Sequence, residues 1–440
     1  MIGAGSVCGL PPATPALLAC FPAPGRALAP PVLRHPERIP PAVRAVMGRW
    51  TQHWFPGRDI RVRLLRDVFV AAEGLVLCAD GTPVPETVDV HRPDQLAEAQ
   101  AALSAAVPRL AGTVVLCRKP GAQNYGHWLT EMLPRALFAS PPARVLVQEA
   151  PAALGQVMRD GLALMGYGPA DIVAAGEAPV RVERLLLVDG LAAHGNYLSP
   201  IVPELLEHIT WRIPKLPTGW IFVTRAGPRT LAGQDRIADR LARAGFNIVD
   251  PGRMAFDHQV AVFRGATRVV GVMGAGMANI VFSPPGTEIV LLAPAGMPDI
   301  FFWLIAGLRR QPLLEIRCTQ AGPQRGPMPW DAALDLDEAD LQRILDPTPL
   351  PPPESLDWVE PGLARHFDAG FYRAQNPDVA AAGVDPLRHF LEIGWREGRN
   401  PSARFNTSAA LAADAALRAA DINPLIHAML QARNAGREMA

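Results

Sequence analysis

Between residues 218 and 318, short apolar runs and helix-like runs alternate without a break, and that alternation decides the class of fold. "GWIFVTR", "FNIVD", "TRVVGV", "EIVLLA" and "LLEIRC" are rich in β-branched and large apolar residues and read as strands. "GQDRIADRLARAG", "FDHQVAVFRG", "GAGMANIVFS" and "DIFFWLIAGLRR" separate them and read as helices. Strands joined through a helix return to the same end of the sheet, so they run parallel. The spacing predicts an α/β fold with a parallel, doubly wound sheet of the Rossmann kind.

The same alternation starts earlier, from Arg61 to about Gly195. "VRLLRDVFVA" and "GLVLC" read as hairpin-paired strands, and "TVVLC", "ARVLVQ" and "VERLLLVDG" as buried ones. "PAALGQVMRDGLALMGYG" is an amphipathic helix ending at glycine. Two domains are therefore expected, over 46–212 and 213–345, and the resemblance described below implies that both are Rossmann-like lobes. Residues 1–45, dense in proline and alanine, read as an irregular lead-in. "DPTPLPPPESLDWVEPG" (346–362) reads as a semi-rigid linker, since so much proline neither continues a helix nor pairs centrally in a sheet.

Residues 363–440 repeat themselves. Phe367, Asp385-Pro386-Leu387, His389 and Gly398-Arg399 recur 38 residues on as Phe405, Asn423-Pro424-Leu425, His427 and Gly436-Arg437. Proline after Asp or Asn reads as a capped helix start, so the tail is expected to be a small all-helical repeat module.

Composition narrows the function classes. A chain of 440 residues, 49% hydrophobic and 19% charged, is a globular protein of two or three domains. Its 42 basic and 42 acidic residues cancel, so no global field draws nucleic acid or an anionic membrane. Cys8, Cys20, Cys78, Cys117 and Cys318 show neither CxxC spacing nor an even number, which argues against a disulfide framework or a zinc site. The first residues lack a basic region and are broken by proline, unlike a signal peptide. The most apolar stretch, 266–297, is interrupted by Arg268, Asn279, Pro284, Pro285 and Glu288, unlike a membrane span. The expected location is cytoplasmic, or peripheral at the inner face of the cytoplasmic membrane.

Three stretches carry chemistry. In "NYGHWLTEMLPR" (124–135), helical spacing brings His127 and Glu131 one turn apart, with Leu129, Met132, Leu133 and Leu137 on a core-facing stripe. A surface pair is the plain alternative. "GVMGAGMANIVFSPPG" (271–286) follows a strand and opens a helix, a place where backbone N–H groups and the helix dipole suit a diphosphate. Its GxxGxG pattern and the missing acidic residue after "IVLLAPAG" argue against NAD(P), and glycines kept for tight packing are the plain alternative. "VTRAGPRTL" ends a strand with Arg225 and Arg229, two guanidiniums suited to gripping phosphates. No HExxH or paired-ligand spacing points to a metal. Asp335-Leu336-Asp337 reads as a helix start whose acids answer the dipole.

In order and spacing, "NYGHWLTEMLP", "VTRAGPR" and "FDHQVAVFRGATRVVGVMGAGMANIVFSPPG" resemble glycosyltransferase family 61 over roughly residues 60–300. That family includes bacterial capsule-biosynthesis-type enzymes and eukaryotic xylosyl- and N-acetylglucosaminyltransferases. The resemblance implies a GT-B-like pair of lobes with a cleft between them. It also implies a nucleotide-sugar donor, UDP-linked, held by the second lobe, and inverting transfer with no metal or other cofactor. The acceptor would be a glycan or lipid-linked glycan of a bacterial surface polysaccharide. His127 is then the base with Glu131 orienting it, or Glu131 the base itself. Arg225, Arg229, Gln259, Gly274, Ala275, Gly276 and Asn279 would face the donor. Asn124, Tyr125 and Arg135 would face the acceptor. The chain departs from the pattern at Met273, where a histidine is usual, at Gln234-Asp235 for Asn-Glu, at Leu291 for an acidic residue, and at Glu131 for Asp. The tail resembles "NPDVAAAG…GWREGRNP" repeats appended to bacterial polysaccharide glycosyltransferases, which implies a protein or glycan partner away from the catalytic cleft. A nucleotide-sugar-binding protein without turnover and an assembly module are the rival readings.

Overall fold

A computed structural model describes residues 16–23, 25–47, 54–55, 57–88, 93–103, 106–193, 195–353, 359–414, 417–418 and 423–435. They form two seven-stranded sheets and a helical tail. β1 (Ala16–Phe21) belongs to the first sheet and β2 (Val32–Arg34) to the second. β3 (Ile60–Ala71) and β4 (Leu75–Leu77) make the expected hairpin. β5 (Arg109–Leu116), β6 (Arg144–Gln148), β7 (Ile172–Ala175) and β8 (Val180–Asp189) complete the first sheet. Its order is β1-β3-β8-β5-β6-β7, with β4 beside β3. The last four of these are parallel, β3 runs antiparallel to β8, and β1 runs antiparallel to β3. This half is therefore a mixed sheet, where a Rossmann-like one was expected. The long β3 pairs along β8 in the opposite sense, an arrangement that needs no crossover helix.

The second sheet follows the predicted alternation. β9 (Gly219–Val223), β10 (Asn247–Val249), β11 (Ala266–Val272), β12 (Glu288–Pro294) and β13 (Leu313–Ala321) are all parallel. β14 (Ala333–Asp335) closes one edge antiparallel. The order β10-β9-β11-β12-β13 means that the chain leaves β9 on one side and returns on the other. Such a reversal opens a crevice between the C-terminal ends of β9 and β11, the usual ligand position in doubly wound sheets.

The expectation of an irregular lead-in is corrected for residues 16–47. β1 pairs with β3 from Ala16 opposite Leu64 onward, and β2 pairs with β13 from Val32 opposite Leu314. Both are edge strands, which tolerate the prolines around them. Residues 1–15 lie outside the described residues.

One apolar cluster runs through both sheets, from Val62, Val115 and Val145 to Ile221, Val269 and Ile289. The helical segment 125–138 is sunk in it, with a wide turn over Trp128–Met132 and a tight one over Leu133–Phe138. Trp128 through Ala136 are all buried. The one-sided stripe predicted from spacing is therefore replaced by burial all round, because the segment lies between the first sheet and the helices of the second.

The start of the proline-rich stretch is pinned. Arg268 Nη1 donates to Asp346 O at 2.7 Å, and Leu350 N donates to Glu288 Oε1 at 3.0 Å. Beyond it, helices between Val359 and Asn434 enclose their own cluster, with Leu363, Tyr372, Phe390, Trp395, Leu411 and Leu425 buried. The repeat positions behave alike. Asp385 Oδ1 accepts from Arg388 N, as Asn423 Oδ1 does from Ile426 N. Asp368 and Asn406, also at matching places, cap Phe371 N and Ala409 N. The Gly436-Arg437 match lies outside the described residues.

Candidate functional site

β5 delivers the chain to a loop that ends at Asn124, whose Oδ1 accepts from Gly126 N at 2.9 Å and caps the helix beginning at Tyr125. His127 sits in that first turn. Its Nδ1 lies 2.5 Å from Oε1 of Glu131, and the other carboxylate oxygen accepts from Lys119 Nζ. The Glu131 side chain is 1% exposed and that of His127 is 21% exposed, so the carboxylate stands behind the imidazole. Burial alone would raise the Glu131 carboxyl. The His127 hydrogen bond and the Lys119 charge outweigh it and hold the group down at about 2. An ionised carboxylate only accepts, so the proton in this contact belongs to Nδ1. In the neutral ring the lone pair then sits on Nε2.

The second sheet supplies the other half. After β9, Arg225 N donates to Gln234 Oε1 at 3.2 Å, and the guanidinium turns toward the Gly274 turn that follows β11. Gly274 has an extended backbone, φ 173°, open to any residue. The Arg225 guanidinium is what leaves no room for a side chain there. Gly271 differs: a Cβ there would meet Met277 Sδ and Val223 Cβ at 2.5 and 3.0 Å, so it is kept for packing. Among the described residues no hydrogen bond or ion pair engages the Arg225 guanidinium, and its Nε is buried without a partner. Burial, with Arg229 nearby, pushes Arg225 down to about 10. Arg229 has partners: Nε is 3.4 Å from Asp331 Oδ1, and Nη1 is 2.9 Å from Met297 Sδ.

His127, Asn124, Arg229, Gly274 and Ala275 line one pocket of about 290 Å³. Residues 125–290, which include His127, Arg229, Gly274 and Ala275, match the sequence model of a family described as Glycosyltransferase 61. The chain is a glycosyltransferase. The match supports family 61 in particular, and among curated proteins none matches the chain. Among the described residues no helix of this glycosyltransferase is long and apolar enough to cross a membrane.

Other residues expected at the site stand elsewhere. Tyr125 Oη donates to Asn279 Oδ1 at 2.5 Å, Asn279 Nδ2 donates to Gln259 Oε1 at 2.9 Å, and Gln259 Nε2 donates to Met254 O at 3.0 Å. Asn279 is 0% and Gln259 3% exposed, so this relay is internal and ties the two sheets' helices together. Gly276 accepts from Asn279 Nδ2 through its carbonyl at 3.1 Å and packs near Pro251. Arg135 donates through Nε to Glu131 O and lines a different cleft, on the far side of Glu131.

The sequence reading missed Asp299. It lines the pocket with His127, and its carboxyl accepts from Phe301 N at 2.8 Å and is pushed up chiefly by burial. The signal available was position alone: Asp299 lies in the loop after β12, where doubly wound sheets present ligand groups. Met273, in place of the family's usual histidine, lines the pocket with a 1% exposed side chain. Among the described residues His35, Asp337 and Asp340 could reach one metal ion. Arg34 Nε at 2.7 Å from Asp340 and Arg38 Nη2 at 2.5 Å from Asp337 already answer both carboxylates, at the edge carrying β2.

Proposed function

We propose that the enzyme moves a sugar, with inversion, from a UDP-linked donor to a hydroxyl of a glycan or lipid-linked glycan. The setting proposed is bacterial surface polysaccharide biosynthesis, in the cytoplasm or at the inner membrane face. The observation that carries this reading is the shared pocket: His127 comes from one sheet, Arg229 and the Gly274 turn from the other. The main parts of the two sheets, with β1 and β2 added from the first residues, then correspond to GT-B lobes over 46–212 and 213–345, followed by the linker 346–362 and the module 363–440, which takes a separate protein or glycan partner.

In this mechanism His127 Nε2 accepts the proton of the acceptor hydroxyl as the oxygen attacks the anomeric carbon. The bond from that carbon to the diphosphate breaks on the opposite face, which inverts the centre. Glu131 holds the ring by Nδ1 and stabilises the imidazolium that forms. Glu131 itself, ionised and bonded on both oxygens, is a weak base for this step. Arg225 and Arg229 meet the charge that develops on the departing diphosphate, the task a divalent ion performs in other sites. That division of labour supports metal independence.

A nucleotide-sugar-binding protein without turnover is the second reading, favoured by Met273 in the pocket wall. Donor hydrolysis or transfer assays in EDTA separate the two. Turnover with UDP-sugars supports the enzyme proposed here, and tight UDP binding with no turnover of any donor supports the second reading. A strict requirement for Mn²⁺ or Mg²⁺ overturns the metal-free mechanism.

A further inference from the structure

Behind Glu131 lies a second cleft, also about 290 Å³, whose wall includes Lys119 and Arg135. Arg58, Arg61, Arg118, Lys119, Arg135 and Arg388 line it, against three acids: Asp59, Glu86 and Asp189. Each acid already has a cation. Arg63, which is not part of the lining, bonds Glu86 and lies 3.4 Å from Asp189, while Arg61 lies 3.8 Å from Asp59. Lys119 is matched by Glu131.

Two of the lining guanidiniums, those of Arg118 and Arg135, are deeply buried. Arg118 is 1% exposed and donates to the carbonyls of Ala72, Ala175 and Gly176; Glu73 and Glu177 act on it from a distance, but among the described residues no carboxylate pairs with it, and its Nε is buried without a partner. Arg135 is 9% exposed, and among the described residues its only hydrogen bond runs from Nε to Glu131 O, which leaves its two terminal nitrogens for the cleft. Burying a charge without a direct ion-pair partner is costly, and planar guanidiniums match an oxyanion two bonds at a time.

We propose that this cleft is an oxyanion site, taking a phosphate or carboxylate group between Arg118, Arg135 and Arg61. It is separate from the transfer pocket and goes beyond the sugar-transfer reading, because nothing in that reading requires a second anion. Arg388 brings the helical tail to the rim, so an occupant there touches both the sheet and the tail.

Isothermal titration of the full chain with inorganic phosphate tests it. Saturable binding is expected, reduced at least about tenfold in Arg135→Gln, the loss of one charge-assisted contact. Because Arg135 is buried and that variant can fail to fold, Arg61→Gln, whose side chain is 46% exposed, serves as the second. It should weaken phosphate several-fold with an unchanged melting temperature. Phosphate binding that is unaltered in Arg61→Gln and lost in Arg225→Gln would assign the anion to the transfer pocket and overturn the proposal. Glucuronate and glucose as competitors separate the sources. Displacement by glucuronate alone means that the anion can arrive on a sugar, and displacement by neither means free phosphate; both support the site. No binding of phosphate or glucuronate overturns it.

Discussion

A methyl group on Gly274 would lie 1.5 Å from Nη1 of Arg225. The glycine and the arginine are one device: the missing side chain is the space the guanidinium occupies. Gly274→Ala should therefore act like an arginine substitution and cut UDP affinity by displacing the charge. Arg225→Ala should cost about 1.5–3 kcal/mol of binding free energy, the range for a charged hydrogen bond. Calorimetry of both variants in EDTA checks this, and full affinity in either would remove Arg225 from the donor site.

His127→Ala should lower transfer by about 10²–10⁴-fold, the usual worth of a general base, with UDP affinity nearly unchanged. Glu131→Gln should fall less far, since the amide still accepts from Nδ1. A greater loss in Glu131→Gln than in His127→Ala would make the carboxylate the base instead.

The same carboxylate sets an acid limit on stability. Glu131 titrates near 2 in the fold against 4.5 as its ordinary value. Its folded value is depressed, so its contribution is whole above about pH 4.5 and is lost as the pH falls toward 2. Acid unfolding followed by circular dichroism should show that slope in the native chain and a flatter one in Glu131→Gln. At neutral pH that variant should also be about 3–5 kcal/mol less stable, because Lys119 is left buried and unpaired.

Asn279→Ala discriminates a structural from a ligand role. It strands Tyr125 Oη and Gln259 Oε1 inside the protein, at about 1–3 kcal/mol each. A lower melting temperature with donor affinity retained is expected; the reverse pattern would return Asn279 to the donor site.

Trp395→Ala should cost about 3–5 kcal/mol locally, since Trp395 is 2% exposed in the tail's own cluster. Hydrogen exchange should quicken across 359–435 while UDP binding persists. Faster exchange throughout both sheets would mean that the tail completes the main core.

What could be read in advance follows from the range of the interactions. The strands of the second sheet and their parallel sense were legible because each strand and helix carries its own local period, while their order is seen only in the fold. That Arg229 and Gly274 would stand at a crevice was legible because strand ends in such a sheet have a known destination. Lys119 was not, since only the fold brings it against Glu131. Asn279 and Gln259 are expected at the donor only through the family resemblance; contact with Tyr125, far away in sequence, binds them into an internal relay that no local pattern announces. β1 and β2 were missed for the same reason. Short edge strands between prolines carry no pattern of their own, and their partners are far away in sequence.

That distance matters during synthesis. β2 rests on β13, which leaves the ribosome after nearly the whole of both sheets, so Val32–Arg34 wait without their partner while the rest of the chain is made. Closing so long a loop comes late in folding, because its entropy is recovered only when β13 exists to receive the strand. A strand made long before its partner is among the last to find its place, and once β13 is made its edge is open to any other strand until β2 docks.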